Sequence, residues 1–180
     1  MQQSFSGSSE AISHMESLFG VPRPELLELL DSADQLRLRT HGCHPASRVL
    51  DHTAIVGLAT GRNKHIEAAV WRSVACDAPL LVPAVALATA LGEIQEVLHP
   101  LIDAVTAMPS AWCLDFDRQT AFRVAKLISA HGDAVDLSYA SAIVTAQRFN
   151  TPLLVTSRDT TVPTQLGVLV DETPPVPGVA

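Results

Sequence analysis

The stretch DLSYASAIVTAQRFNTPLLVTSRD, residues 136–159, decides the fold class. It opens on an acid and continues as the most regular helical pattern in the chain, from Asp136 to Phe149. Asp136 suits an N-cap or first-turn position, where the helix dipole favours an anion, and Asp133 is an alternative cap. The small residues Ala140, Ser141 and Ala142 allow such a helix to pack tightly on a sheet. Pro152 then introduces PLLVTS (152–157), a short apolar run that reads as a buried strand ending in polar residues.

Working outward, the same alternation continues in both directions. Strand-like runs are RVLD (48–51), PLLVP (79–83), AWCLDF (111–116) and LGVLVD (166–171). Helical stretches lie between them at Lys64 to Ala75, Pro83 to Val97, His99 to Ala107 and Arg118 to His131. Short apolar strands separated by helices are what a parallel sheet buried on both faces requires. With right-handed crossovers this predicts an α/β fold, a three-layer α/β/α sandwich with a parallel sheet of about five strands. Ligands in such sheets bind beyond the carboxyl ends of the strands.

Residues 1–47 read as an N-terminal helical extension, 48–171 as the α/β domain and 172–180 as a flexible tail. Ile12, Met15 and Phe19 share one helix face, with Ser9 to cap the start and Gly20 to end it. A second helix opens near Pro24 and carries Leu26, Leu27, Leu30, Ala33 and Leu36, and THGCHPAS (40–47) then reads as a loop. The extension either completes the core, occupies a surface groove in cis, or enlarges a dimer interface.

Composition narrows the function classes. The hydrophobic share is 47% but the aromatic share only 4%, so the core must be built from Ala, Val and Leu. Charge or Pro breaks every apolar run before the roughly 18 residues that a membrane span needs, so no membrane helix is expected. The N-terminus lacks a basic start and an apolar core, and Cys43, Cys76 and Cys113 are scattered and odd in number. These features predict a cytoplasmic protein with reduced thiols. The net charge of −7 argues against a broad electrostatic grip on nucleic acid.

Three aspartates fall along one edge of such a sheet. Asp51 closes the first strand; burying it costs several kcal/mol without a cation or N–H partners, and it also suits a helix N-cap. Asp136 opens the late helix, and Asp159 follows Thr156, Ser157 and Arg158 after the fourth strand. On one edge of a parallel sheet these carboxylates repel unless hard cations hold them, for which Mg²⁺ or Mn²⁺ is the usual solution.

The order VLDHTAI, VPAVALATAL, DLSYASAIVTAQRFNTPLLVTSRD resembles a PIN domain over roughly residues 48–171, the fold of VapC-like toxins and related ribonucleases. The resemblance implies an acidic cluster holding Mg²⁺ or Mn²⁺ for RNA cleavage by metal-assisted hydrolysis. Asp51 and Asp136 match two acidic positions of that pattern. The expected Glu falls at Thr89, with Glu93 one turn further along the same face, about 6 Å away. The expected acid after the fourth strand falls at Arg158, with Asp159 one residue late. The ligand set implied is therefore Asp51, Asp136 and Asp159, with Glu93 reaching the metal through water and Thr156 and Arg158 meeting substrate. Alternatively, Arg158 takes the cation position by pairing with Asp51 or Asp136.

Two functions follow from this reading. One is a divergent Mg²⁺- or Mn²⁺-dependent endoribonuclease of toxin type, with RNA as substrate, an antitoxin-like protein as partner and a homodimer as a further expectation. The alternative is a catalytically inactive PIN-like scaffold for protein or RNA binding. His41, Cys43 and His44 lack the second ligand pair that a structural zinc site needs. Arg118, Arg123, Lys126 and Arg148 offer phosphate contacts or merely solvate helix faces. No G-x-G-x-x-G follows the first strand, which places a dinucleotide-binding protein third.

Overall fold

The computed structural model describes residues 8–41, 46–156 and 158–173. Two helices come first, α1 (Ser8–Phe19) and α2 (Pro24–His41). Then follow β1 (Arg48–Leu50), α3 (His52–Ala59), α4 (Lys64–Ala75), β2 (Leu80–Pro83), α5 (Ala84–Glu93) and α6 (His99–Thr106). The chain continues through β3 (Ala111–Leu114), α7 (Arg118–His131), α8 (Leu137–Phe149), β4 (Leu153–Thr156), α9 (Thr161–Gln165) and β5 (Val170–Thr173). The strands form one parallel sheet in the order β3-β2-β1-β4-β5.

The three layers follow from the two-residue side-chain period of the strands. Leu50, Leu80, Val82 and Leu154 point to one face and join a core with residues of α3, α4, α5 and α6. Val49, Leu81, Leu153 and Val155 point to the other and pack with residues of α7, α8 and the α9 region. The apolar residues Val49–Leu50, Leu80–Val82 and Leu153–Val155 of the three central strands run without alternation because both faces are covered. The α/β/α sandwich with five parallel strands stands as expected.

Ala11, Met15 and Leu30 from α1 and α2 are buried in the first of these cores, with both helices against α4. The N-terminal helices therefore complete the core. Gly20 ends α1 at φ 75°, donating its N–H to the Glu16 carbonyl at 2.9 Å, the left-handed termination that glycine permits. At Gly57 in α3 the reason for glycine is space. A Cβ there would stand 2.7 Å from Ile66 Cδ1, so the tip of that α4 side chain would have to shift.

Several boundaries differ from the expected ones. The fifth strand is Val170–Thr173, not 166–171, so regular structure runs past residue 171 into the expected tail. Gly167 sits in a turn at φ 72°, and Val168 buries its side chain from a loop, which delays the strand. The helix expected over Pro83 to Val97 stops at Glu93, where Ile94 turns extended and points into the core. A separate 3₁₀ turn, Glu96–Leu98, follows it. The third strand ends at Leu114, short of Phe116, and α9 was hidden by Pro163. Pro163 is tolerated because it lies in the first turn, where its missing N–H has no helical partner to lose. Cys43, His44, Ser157 and residues 174–180 lie outside the described residues.

Candidate functional site

From β1 the chain steps outward to β2 and β3, then α7 and α8 carry it back across the sheet to β4. The reversal falls between β1 and β4, and a crevice outside the carboxyl ends of those strands is where a parallel sheet receives ligands. Asp51 ends β1 at this point and is fully buried. It is the N-cap of α3: its Oδ1 accepts from Ala54 N–H at 2.8 Å and from the Thr53 hydroxyl at 2.7 Å. Thr53 Oγ1 in turn accepts the N–H of Thr156 at 3.0 Å, tying the start of α3 to the end of β4. Asp51 Oδ2 is also buried and accepts no hydrogen bond.

Asp136 is the N-cap of α8 rather than its first residue, with Oδ1 accepting Tyr139 N–H at 2.7 Å. Its Oδ2 accepts from Arg158 Nη1 at 2.7 Å. The same guanidinium reaches Asp51, its Nε 3.4 Å from Oδ2. Arg158 Nη2 lies 3.0 and 2.9 Å from the two ring nitrogens of His52, which places it over the ring face. On another side the guanidinium carbon stands 4.7 Å from the centroid of the Tyr139 ring, a cation–π distance. One arginine thus fills the space between two carboxylates and two rings.

The rest of the constellation closes around it. His52 Nδ1 is 3.0 Å from Ser138 Oγ and its Nε2 is 3.6 Å from Glu93 Oε1. Glu93 therefore joins the site through His52, with its side chain half exposed. Tyr139 donates its hydroxyl to the Asp159 carbonyl at 2.9 Å. Thr89 bonds back to the Val85 carbonyl of its own helix. Asp159 turns its carboxylate to Thr161 N–H at 2.8 Å, capping the turn into α9 from an exposed position.

The charges respond to these contacts. Burial pushes the Asp51 carboxyl above its ordinary value, against the opposing pull of Thr53, the Ala54 N–H, His52 and Arg158. Burial acts on Asp136 in the same direction, but there the Tyr139 N–H and Arg158 prevail and hold it below the usual range. Thr161 likewise lowers Asp159. The Tyr139 phenol is pushed up to about 12, chiefly by burial and then by the negative charge of Asp51.

Among the described residues no three His, Cys, Asp or Glu side chains converge on one ion position. Asp51 and Asp136 come together on Arg158, Glu93 joins them through His52, and Asp159 holds Thr161 N–H. Thr53, Ser138 and Tyr139 were not singled out as binding or catalytic partners in the sequence. Two of them carried a local signal: Thr53 two residues past Asp51, and Tyr139 three past Asp136, the N–H that an N-cap serves. Comparisons with family models, with curated proteins and with solved structures find no match.

Proposed function

We propose that this chain is a PIN-like protein that works by binding a partner protein, with Arg158 standing where a metal ion would otherwise neutralise Asp51 and Asp136. The observation that carries this reading is the position of Arg158. Its guanidinium contacts Asp51 Oδ2 and Asp136 Oδ2 at once, between the rings of His52 and Tyr139. A fixed internal cation compensates the acids without metal and leaves no open coordination position. The rim favours a protein over RNA. Glu93 and Asp136 are each about half exposed and Asp159 is exposed, so phosphate would meet carboxylates on a chain of net charge −7.

One observation favours the second reading, a divergent Mg²⁺- or Mn²⁺-dependent ribonuclease of toxin type. Asp51 Oδ2 is a buried carboxylate oxygen that accepts no hydrogen bond, the kind of atom a hard cation would satisfy. Calorimetric titration with Mn²⁺, paired with an RNA cleavage assay, separates the two. The binding reading expects no heat at millimolar Mn²⁺ and no cleavage by wild type, with Mn²⁺ binding appearing only in Arg158→Ala. Metal-stimulated cleavage by wild type that Asp51→Asn abolishes would overturn it in favour of the nuclease.

A further inference from the structure

The two edges of the sheet are finished differently. At one edge, β5 carries Asp171 and Glu172, and Asp171 is turned inward to accept from Arg48 Nε at 2.7 Å. An inward charge is one of the devices by which natural sheets discourage further strands. At the other edge, β3 reads Ala-Trp-Cys-Leu, with no charge, proline or glycine. Trp112 is 47% exposed and Cys113 is exposed as well.

The phase of the β2–β3 ladder fixes which main-chain groups face outward. Leu80 is opposite Ala111 and donates its N–H to the Ser110 carbonyl at 2.8 Å. In a parallel ladder Trp112 and Leu114 then bond to β2, while the Cys113 N–H and carbonyl and the Ala111 carbonyl turn away from the sheet. The Ala111 N–H is taken by the Met108 carbonyl at 3.0 Å. Trp112 pairs with Leu81, so Trp112 and Leu114 lie on the α7/α8 face, and Ala111 and Cys113 lie on the α6 face.

We infer that β3 pairs antiparallel with β3 of a second copy of this chain, about a two-fold axis through Cys113, to give one continuous ten-stranded sheet. That axis lets the Cys113 N–H and carbonyl bond reciprocally to Cys113 of the second copy. The Asp115 N–H then meets the outward Ala111 carbonyl. Trp112 of each copy falls opposite Leu114 of the other, an aromatic–aliphatic cross-strand pair formed twice. Each large apolar side chain on this face is covered by its complement, the self-complementarity that an isologous interface demands. The charges also agree: each Asp115 lies against Ala111, so no acid opposes an acid although the chain carries −7.

The test uses the full chain. Its solution mass by light scattering is expected at twice 19.2 kDa, and Trp112→Lys and Leu114→Lys are each expected to weaken the dimer by about tenfold or more, as loss of a central aromatic contact does. A short bis-maleimide is expected to link Cys113 to Cys113, because hydrogen-bonded antiparallel partners have Cα atoms about 5.5 Å apart. The link is expected to persist in Cys76→Ser and vanish in Cys113→Ser. A monomeric mass overturns the inference, and so does a dimer indifferent to both lysines or a cross-link mapping only to other cysteines. The mapped cross-link of the native chain decides the matter even if a lysine variant fails to fold.

Discussion

Strand β1 is bracketed by two arginine–aspartate pairs. At its first residue, Arg48 is 1% exposed and donates from Nε to Asp171 at 2.7 Å and from Nη1 to the Ser47 carbonyl at 2.8 Å. Just past its last residue, Asp51 meets Arg158, whose side chain keeps 18% of its surface in solvent. The first pair links β1 to the edge strand β5 across β4, and both of its side chains are almost wholly buried. The second arginine comes from the loop after β4 and divides itself between a buried acid and a half-exposed one. The same chemistry therefore stands in two places: Arg48 ties the edge strand to β1, and Arg158 lies beyond the carboxyl ends of β1 and β4, where parallel sheets in general receive ligands. Burial of the partner acid is common to both pairs; position relative to the topological switch is what differs.

The sharpest way to break this contrast is to remove each arginine. Arg48→Ala should cost about 3–5 kcal/mol in urea unfolding, the usual penalty for stranding one member of a buried pair. The double variant Arg48→Met, Asp171→Leu should recover most of it. A single-variant cost below about 1 kcal/mol would mean that the inner pair is not the sheet's clasp. Arg158→Ala should cost less, about 1–2 kcal/mol, because Asp136 can return to water and only Asp51 is left uncompensated. If it costs more than Arg48→Ala, the rim arginine is the structural one and the comparison is inverted.

The smallest effect sharpens the comparison within the crevice itself, because its two acids respond to pH with opposite sign. Asp51 is raised above 3.8, so the folded protein holds that proton more tightly than the unfolded chain does. Its contribution to stability is complete below 3.8 and is lost as pH rises through the raised value. Asp136 is lowered, so its contribution is complete above 3.8 and is lost as pH falls through the lowered value. The melting temperature of Asp51→Asn relative to wild type should therefore improve as pH increases from 3.8. That of Asp136→Asn should instead converge on wild type as pH falls below 3.8. Each effect should be about 1 kcal/mol or less. Parallel trends in the two variants would show that Arg158 does not discriminate between the acids.

Much of the fold was legible because its signals are local. The helix from Asp136 to Phe149 announced its cap, its small packing residues and the strand behind it, and the short apolar runs could only be strands covered on both sides. The fifth strand was misplaced because LGVLV offers apolar residues on both sides of a glycine turn, and sequence does not say that Val168 enters the core from a loop. In the site, Asp51 and Asp136 were legible as caps, and Arg158 as their alternative counter-ion. The partners across the fold were not. His52 meets Ser138 over 86 positions and Arg48 meets Asp171 over 123, and no spacing rule encodes such pairs. Asp159 looked like a third ligand because the sequence counts residues, whereas the turn into α9 decides which way its carboxylate points.

The hydrogen bond from Thr156 N–H to Thr53 Oγ1 has a consequence in time as well as space. It spans 103 positions, and closing so long a loop precedes the contacts that reward it. As the chain lengthens from its N-terminus, Asp51 can cap α3 at once through Ala54, a partner three residues away. The second wall of the crevice exists only after β4 has been made and threaded beside β1. For most of the chain's synthesis Asp51 therefore has only its local partners within reach, and Arg158 and the end of β4 join it only near the end.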